Sequence, residues 1–168
     1  MKSKSTFYQE YWEIVKDFLQ NCNPIETMEY IVGHNYDADS EGLWYIAKNF
    51  ETEKGAVANI FWRLLPLYEG NLIHEEPYLN EFYLLKFIAD NFYKYSDGKY
   101  GSQIDAYCIP YIALVLKDFP ECPQELVNNI DGEIISIQDT LHTYEGLPES
   151  INNKINVIRK QRNRKSLP

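Results

Sequence analysis

The densest group of chemically capable side chains in this 168-residue chain is His34-Asn35-Tyr36-Asp37-Ala38-Asp39. A histidine beside two carboxylates can serve as a general base held by an orienting acid, or contribute to an oxygen-rich cation site. Helix-loop-helix calcium loops need acidic or amide ligands at alternate positions, a glycine at the sixth and a bidentate glutamate at the twelfth. Asp37-Ala-Asp39-Ser-Glu41-Gly42 meets the first half loosely. The twelfth residue counted from Asp37 is Lys48, which puts a positive charge where the bidentate ligand should be. Asn and Asp also cap helices and close the turns between them, and that structural role is the reading the segment favours. A small metal-dependent enzyme or sensor using His34, Asp37 and Asp39 is the alternative.

The remaining reactive residues are scattered. His74-Glu75-Glu76 begins like a metalloprotease HExxH helix, but no second histidine follows within the turn, and His142 is distant. The eight glycines form no phosphate loop, and no Gly-x-Ser-x-Gly motif is present. Three cysteines, Cys22, Cys108 and Cys122, lack CxxC or Cys/His spacing and read as reduced, mostly buried thiols. The sequence therefore assigns no catalytic residue, no metal ligand and no cofactor.

Charge and aromatic content are more informative. The chain holds 25 acidic and 16 basic side chains, for a net charge of −9, which argues against binding to nucleic acid backbones. From Lys154 onward there are six basic residues and no acid, so residues 1–153 carry 25 acids against 10 bases, or −15. The basic tail reads as a helix C-terminus favoured by the macrodipole. No apolar run reaches the roughly 18–20 residues that cross a bilayer, and the N-terminus lacks an apolar leader segment; the expectation is a cytoplasmic protein. Aromatic residues make up 15%, with 14 tyrosines among them. Tyr30, Tyr36, Tyr45, Tyr68, Tyr93, Tyr95, Tyr100 and Tyr144 fall at loop-flanking or half-polar positions. Tyrosine is amphipathic, has few torsions to order, and is enriched at protein interfaces. The acids that cluster near such tyrosines are Asp37, Asp39, Glu41, Glu51 and Glu53, with Glu69, Glu75 and Glu76 nearby. Together with Tyr36, Tyr45 and Tyr68 they form the candidate partner-binding set.

Helices must position these residues. Phe7, Tyr8, Tyr11, Trp12, Val15, Phe18 and Leu19 recur at a 3.6-residue period across residues 5–20. Asn23-Pro24-Ile25-Glu26 is a helix start in which Asn caps, Pro occupies the first turn and Glu reaches back. Further helices are predicted near 41–50, after Thr52 until Pro66, and over 78–96. Residues 104–119 fit a helix that Pro110 must kink or start. Pro123 opens a short helix through Asn129, residues 133–141 are strand or helix, and a last helix starts near Pro148. The expected fold is all-α: a single compact domain of about eight short helices over 1–153, as an orthogonal bundle or a short stack of helix pairs, with 154–168 as a basic helix end and tail.

The stretch from His34 to Leu65 holds Asn35-Tyr36-Asp37, Gly42 with Leu43-Trp44-Tyr45-Ile46, Lys54-Gly55-Ala56, and Ile60-Phe61-Trp62. It resembles a bacterial domain family of unknown function with an Asn-x-Asp loop, a Trp-bearing helix and a Gly-Thr-Ala turn opening a second helix. The likeness covers about a fifth of the chain. Ala56-Val57 stands where the family has Thr-Ala, and the loop from Asp37 to Gly42 is longer. The resemblance implies an accessory or immunity-type protein associated with bacterial toxins. The resulting expectation is a non-enzymatic acidic protein that neutralises a basic toxin, such as a nuclease, by covering its cleft. A structural accessory domain that self-associates is a further alternative.

Overall fold

A computed structural model describes residues 2–36, 40–67 and 79–165. The chain is all-α: among the described residues there are seven α-helices, four short 3-10 turns and no strand. The helices are α1 (Lys2–Asn21), α2 (Pro24–Gly33), α3 (Glu41–Lys48), α4 (Lys54–Leu64), α5 (Leu79–Asn91), α6 (Ile112–Asp118) and α7 (Glu149–Lys165). None of them is long and apolar enough to cross a membrane. The chain sorts into two compact units, one of residues 1–35 with 136–168, the other of residues 36–135.

In the first unit α1 packs against α7, and α2 against the 3-10 turn at Ile137–Thr140. Val15, Phe18 and Leu19 of α1 are buried, as are Ile151 and Ile155 of α7. Tyr8, expected on the inner stripe, is 53% exposed, its ring set edge-on to Tyr11. Arg162 of α7 reaches Glu10 at 3.2 Å, so one of the tail's charges is met by α1. The start of α2 forms as its sequence dictates. Asn23 Oδ1 accepts from Glu26 N at 3.1 Å, Glu26 Oε2 accepts from Asn23 N at 2.8 Å, and Pro24 occupies the first turn. At its other end Gly33 lies against Gly146, whose φ of +75° is a left-handed conformation that glycine adopts without strain.

In the second unit α3, α4 and α5 pack against one another. Phe61, Leu64, Leu84, Leu85, Ile88 and Phe92 are almost wholly buried, each worth roughly 2–3 kcal/mol of transfer free energy. The segment after α5 is irregular but anchored. Ser102 exchanges backbone hydrogen bonds with Ile130 at 2.8 and 2.9 Å, and Glu133 N donates to Lys99 O at 2.9 Å. This pairing settles residues 133–141: Glu133 makes an isolated bridge to Tyr100, and Ser136 then caps the 3-10 turn.

Two predicted helices are shorter than expected or missing. Residues 104–108 are turn and irregular backbone, and Pro110 opens a 3-10 turn (Ile109–Tyr111) that leads into α6. Asp105 explains the first difference, because its Oδ1 accepts from Tyr107 N at 3.0 Å and offers the backbone an alternative to helix. Residues 123–129 form turns instead of a helix. There Trp62 Nε1 donates to Leu126 O at 2.9 Å, and Ile104 N donates to Asn129 Oδ1 at 2.9 Å. These long-range bonds take up backbone and side-chain groups near the predicted helix. The tyrosine assignment also changes: Tyr30, Tyr95 and Tyr100 are core residues, whereas Tyr93 and Tyr144 are exposed. Tyr95 is satisfied inside the protein by donating its hydroxyl to Ala47 O at 2.5 Å.

A methyl group at Gly55 would lie 2.0 Å from Tyr100 O, against backbone on both sides of the contact. Gly55→Ala should therefore lower stability by about 2–3 kcal/mol although alanine is the better helix former. Urea unfolding of the variant measures this, and an unchanged midpoint would contradict the close approach.

Candidate functional site

α4 begins where Glu53 and Lys54 meet the segment 96–100. Glu53 is the N-cap, and its carboxylate turns away from its own helix: Oε2 accepts from Tyr100 N at 2.9 Å. Lys54 N donates to Ser96 O at 2.9 Å. The Lys54 ammonium reaches Glu125 at 2.9 and 3.1 Å and Asp97 at 3.0 Å. Those hydrogen bonds, to Glu125 first and Asp97 second, push the Lys54 pKa up from its ordinary 10.5. Lys54, Asp97, Glu125 and Asp131 line one cleft of about 290 Å³, closed on its inner side by Gly55 and Tyr100. Two carboxylates share one ammonium there, Asp131 adds a third acid to the lining, and the Asp97 side chain is 88% exposed. Lys99 pairs nearby with Glu133 at 2.8 Å. The chemistry available is that of oxygen acceptors with surplus negative charge, suited to a guanidinium or ammonium from outside. Among the described residues no group of three or more His, Cys, Asp or Glu can hold a metal.

The structure places the sequence-predicted residues in different settings. Glu53 is a half-buried structural carboxylate, whereas Glu51 is exposed and Glu41 lies exposed in the first turn of α3. Tyr45 is half-buried on α3. Tyr36 lines a separate cavity with Arg63; enclosure of its hydroxyl pushes its pKa well up, against a smaller opposing pull from the Arg63 charge. Asp37, Asp39, Tyr68, Glu69, Glu75 and Glu76 lie outside the described residues. His34 follows α2 as its C-cap, its ring centroid 5.2 Å from that of Tyr30. All three thiols are shifted up by burial, Cys122 to about 11, so each is overwhelmingly protonated at neutral pH and a poor nucleophile.

Sequence reasoning overlooked Asp97, Glu125 and Asp131. They are spread over 35 residues of mostly irregular chain, on either side of α6, and share no periodicity. The one available signal was Lys54 at a helix start, where the macrodipole disfavours a cation and some acidic partner is expected. Comparison with known proteins adds nothing to these assignments, since no protein-family model, curated protein or solved structure matches the chain.

Two outcomes follow from these contacts. Glu53→Ala strands Tyr100 N and should cost about 1–2 kcal/mol, whereas Glu51→Ala should stay within about 0.5 kcal/mol of the parent in urea titrations. The raised Lys54 pKa means that its stabilisation is complete below the unfolded value of 10.5 and disappears as pH climbs through the higher folded value. The stability gap between the parent and Lys54→Met should therefore be constant from pH 6 to 9, about 1 kcal/mol in size, and close above pH 10.5 in pH-resolved thermal melts.

Proposed function

We propose that this chain is a non-enzymatic binding protein whose 36–135 unit covers a cationic protein surface. The carrying observation is how the units divide the charge. Residues 36–135 hold 17 acids against 7 bases, or −10, whereas 1–35 with 136–168 hold 8 acids against 9 bases, or +1. The basic tail belongs to a unit that is already near balance, so the surplus negative charge is concentrated in one compact body. In that body the Lys54 cleft offers carboxylates that a partner's arginine or lysine can engage, with exposed Asp97 the most accessible. Exposed Tyr93 and Tyr83 on the same unit supply aromatic surface of the kind enriched in interface anchors. The sequence resemblance makes the specific form of this reading an immunity protein that masks a basic toxin. Acidic covering of a cationic cleft speeds encounter and excludes the toxin's natural anionic substrate.

The test is surface plasmon resonance against the product of the neighbouring gene, carried in an inactive form. The association rate should fall about tenfold or more between low and high salt, and Asp97→Asn with Asp131→Asn should lower it further at low salt. An association rate indifferent to salt would contradict the electrostatic mechanism. Absence of any complex would remove the immunity reading.

A further inference from the structure

Arg63 stands in the last turn of α4 and lines a cavity of about 300 Å³ with Asn59, Trp62, Gln103, Asp105 and Tyr107. Its Nε is shielded from solvent and has no hydrogen-bond partner, and among the described residues Arg63 makes no ion pair. A buried N–H left unpaired costs about 1–3 kcal/mol, and folded proteins retain few of them. Asp105, an exposed residue, lies at the mouth of the same cavity. Its Oδ1 is held by Tyr107 N at 3.0 Å, which fixes the carboxylate and leaves Oδ2 unengaged among the described residues. The two opposite charges line one small space and do not pair with each other.

We propose that this cavity binds a free α-amino acid, its carboxylate on the Arg63 guanidinium and its ammonium on Asp105. The charge count selects that class. One guanidinium and one carboxylate among the lining residues leave it neutral, which suits a zwitterion and disfavours a phosphate, for which no second cation is present. Arginine's planar fork matches a carboxylate with two parallel hydrogen bonds. The volume sits at the lower end of the roughly 300–1,000 Å³ typical of ligand pockets, so the ligand is small. Trp62, Pro66 and Tyr107 supply the apolar wall, favouring an apolar or aromatic side chain. Trp62 is a rigid part of that wall, because its Nε1 is committed to Leu126 O at 2.9 Å. Asn59 is likewise fixed, its amide donating to Gly55 O at 2.8 Å and Gly101 O at 3.0 Å. The α4 side of the pocket is therefore preorganised. The inference does not depend on the cationic-partner reading, which concerns the Lys54 cleft.

Isothermal titration calorimetry of the full chain against the individual proteinogenic amino acids at millimolar concentration tests it. At least one apolar or aromatic amino acid should bind. Its N-acetyl derivative, which lacks the ammonium, and its carboxamide, which lacks the carboxylate, should each bind about tenfold more weakly or worse. Arg63→Gln and Asp105→Asn should each lose a similar factor. Asp105→Asn keeps the oxygen that Tyr107 N needs and removes only charge, so its melting temperature should be unchanged, and it decides the matter should Arg63→Gln fold poorly. The proposal is overturned if no free amino acid binds, if the two blocked derivatives bind as well as the parent compound, or if Asp105→Asn binds as well as the wild type.

Discussion

The contact between the first two turns of α4 and the segment 96–102 governs the 36–135 unit. Four interactions fasten it: the Glu53 carboxylate on Tyr100 N, Lys54 N on Ser96 O, the Asn59 amide on Gly101 O, and the bare face of Gly55 against Tyr100. A side chain at position 55 would hold the two apart. Because α4 is a rigid rod, one fastened turn also places everything further along it. Lys54 and Arg63 are nine residues apart, a rise of about 13 Å at the helical spacing. One helix thus supplies the cation of each of the two cavities, and both depend on the same backbone contact.

Electrostatics adds a second layer. Taken along the chain, the charge reads as a −15 body with a +6 tail. Taken by compact unit it becomes −10 and +1, because α7 packs with α1 and Arg162 meets Glu10. The acidic body is smaller than the linear pattern implies, at nearly the same charge per residue. Within it Lys54 shows how partial neutralisation shapes a surface: two carboxylates are drawn together by one ammonium, and the remaining oxygen lone pairs face outward as acceptors.

The helices themselves were legible where local rules suffice. The capping box at Asn23 and Glu26 and the periodic stripes of α1, α4, α5 and α7 depend on residues within a turn or two of one another. The reading failed at 104–108 and 123–129, where the deciding partners are distant: Trp62 holds Leu126 O and Asn129 holds Ile104 N. Tyr95 and Tyr100 were misplaced for the same reason. A tyrosine is read as an interface residue until a specific acceptor such as Ala47 O lets its hydroxyl be buried. Glu53 was grouped with its neighbouring acids, since no sequence rule distinguishes an exposed acid from one reaching 47 positions along the chain to a backbone N–H.

The sequence by itself determined the helical class, the chemistry of each helix start, the acidic excess and the lack of a contiguous catalytic motif. All of these depend on composition or on neighbours within about four residues. The tertiary structure alone decided which acids share a cleft, which tyrosines are core, and that Arg63 and Asp105, 42 positions apart, face one space. The mostly irregular chain on either side of α6, between residues 92 and 135, carries most of these choices. It has no period to read, and its course is set by hydrogen bonds to groups on α4 that only folding brings within reach.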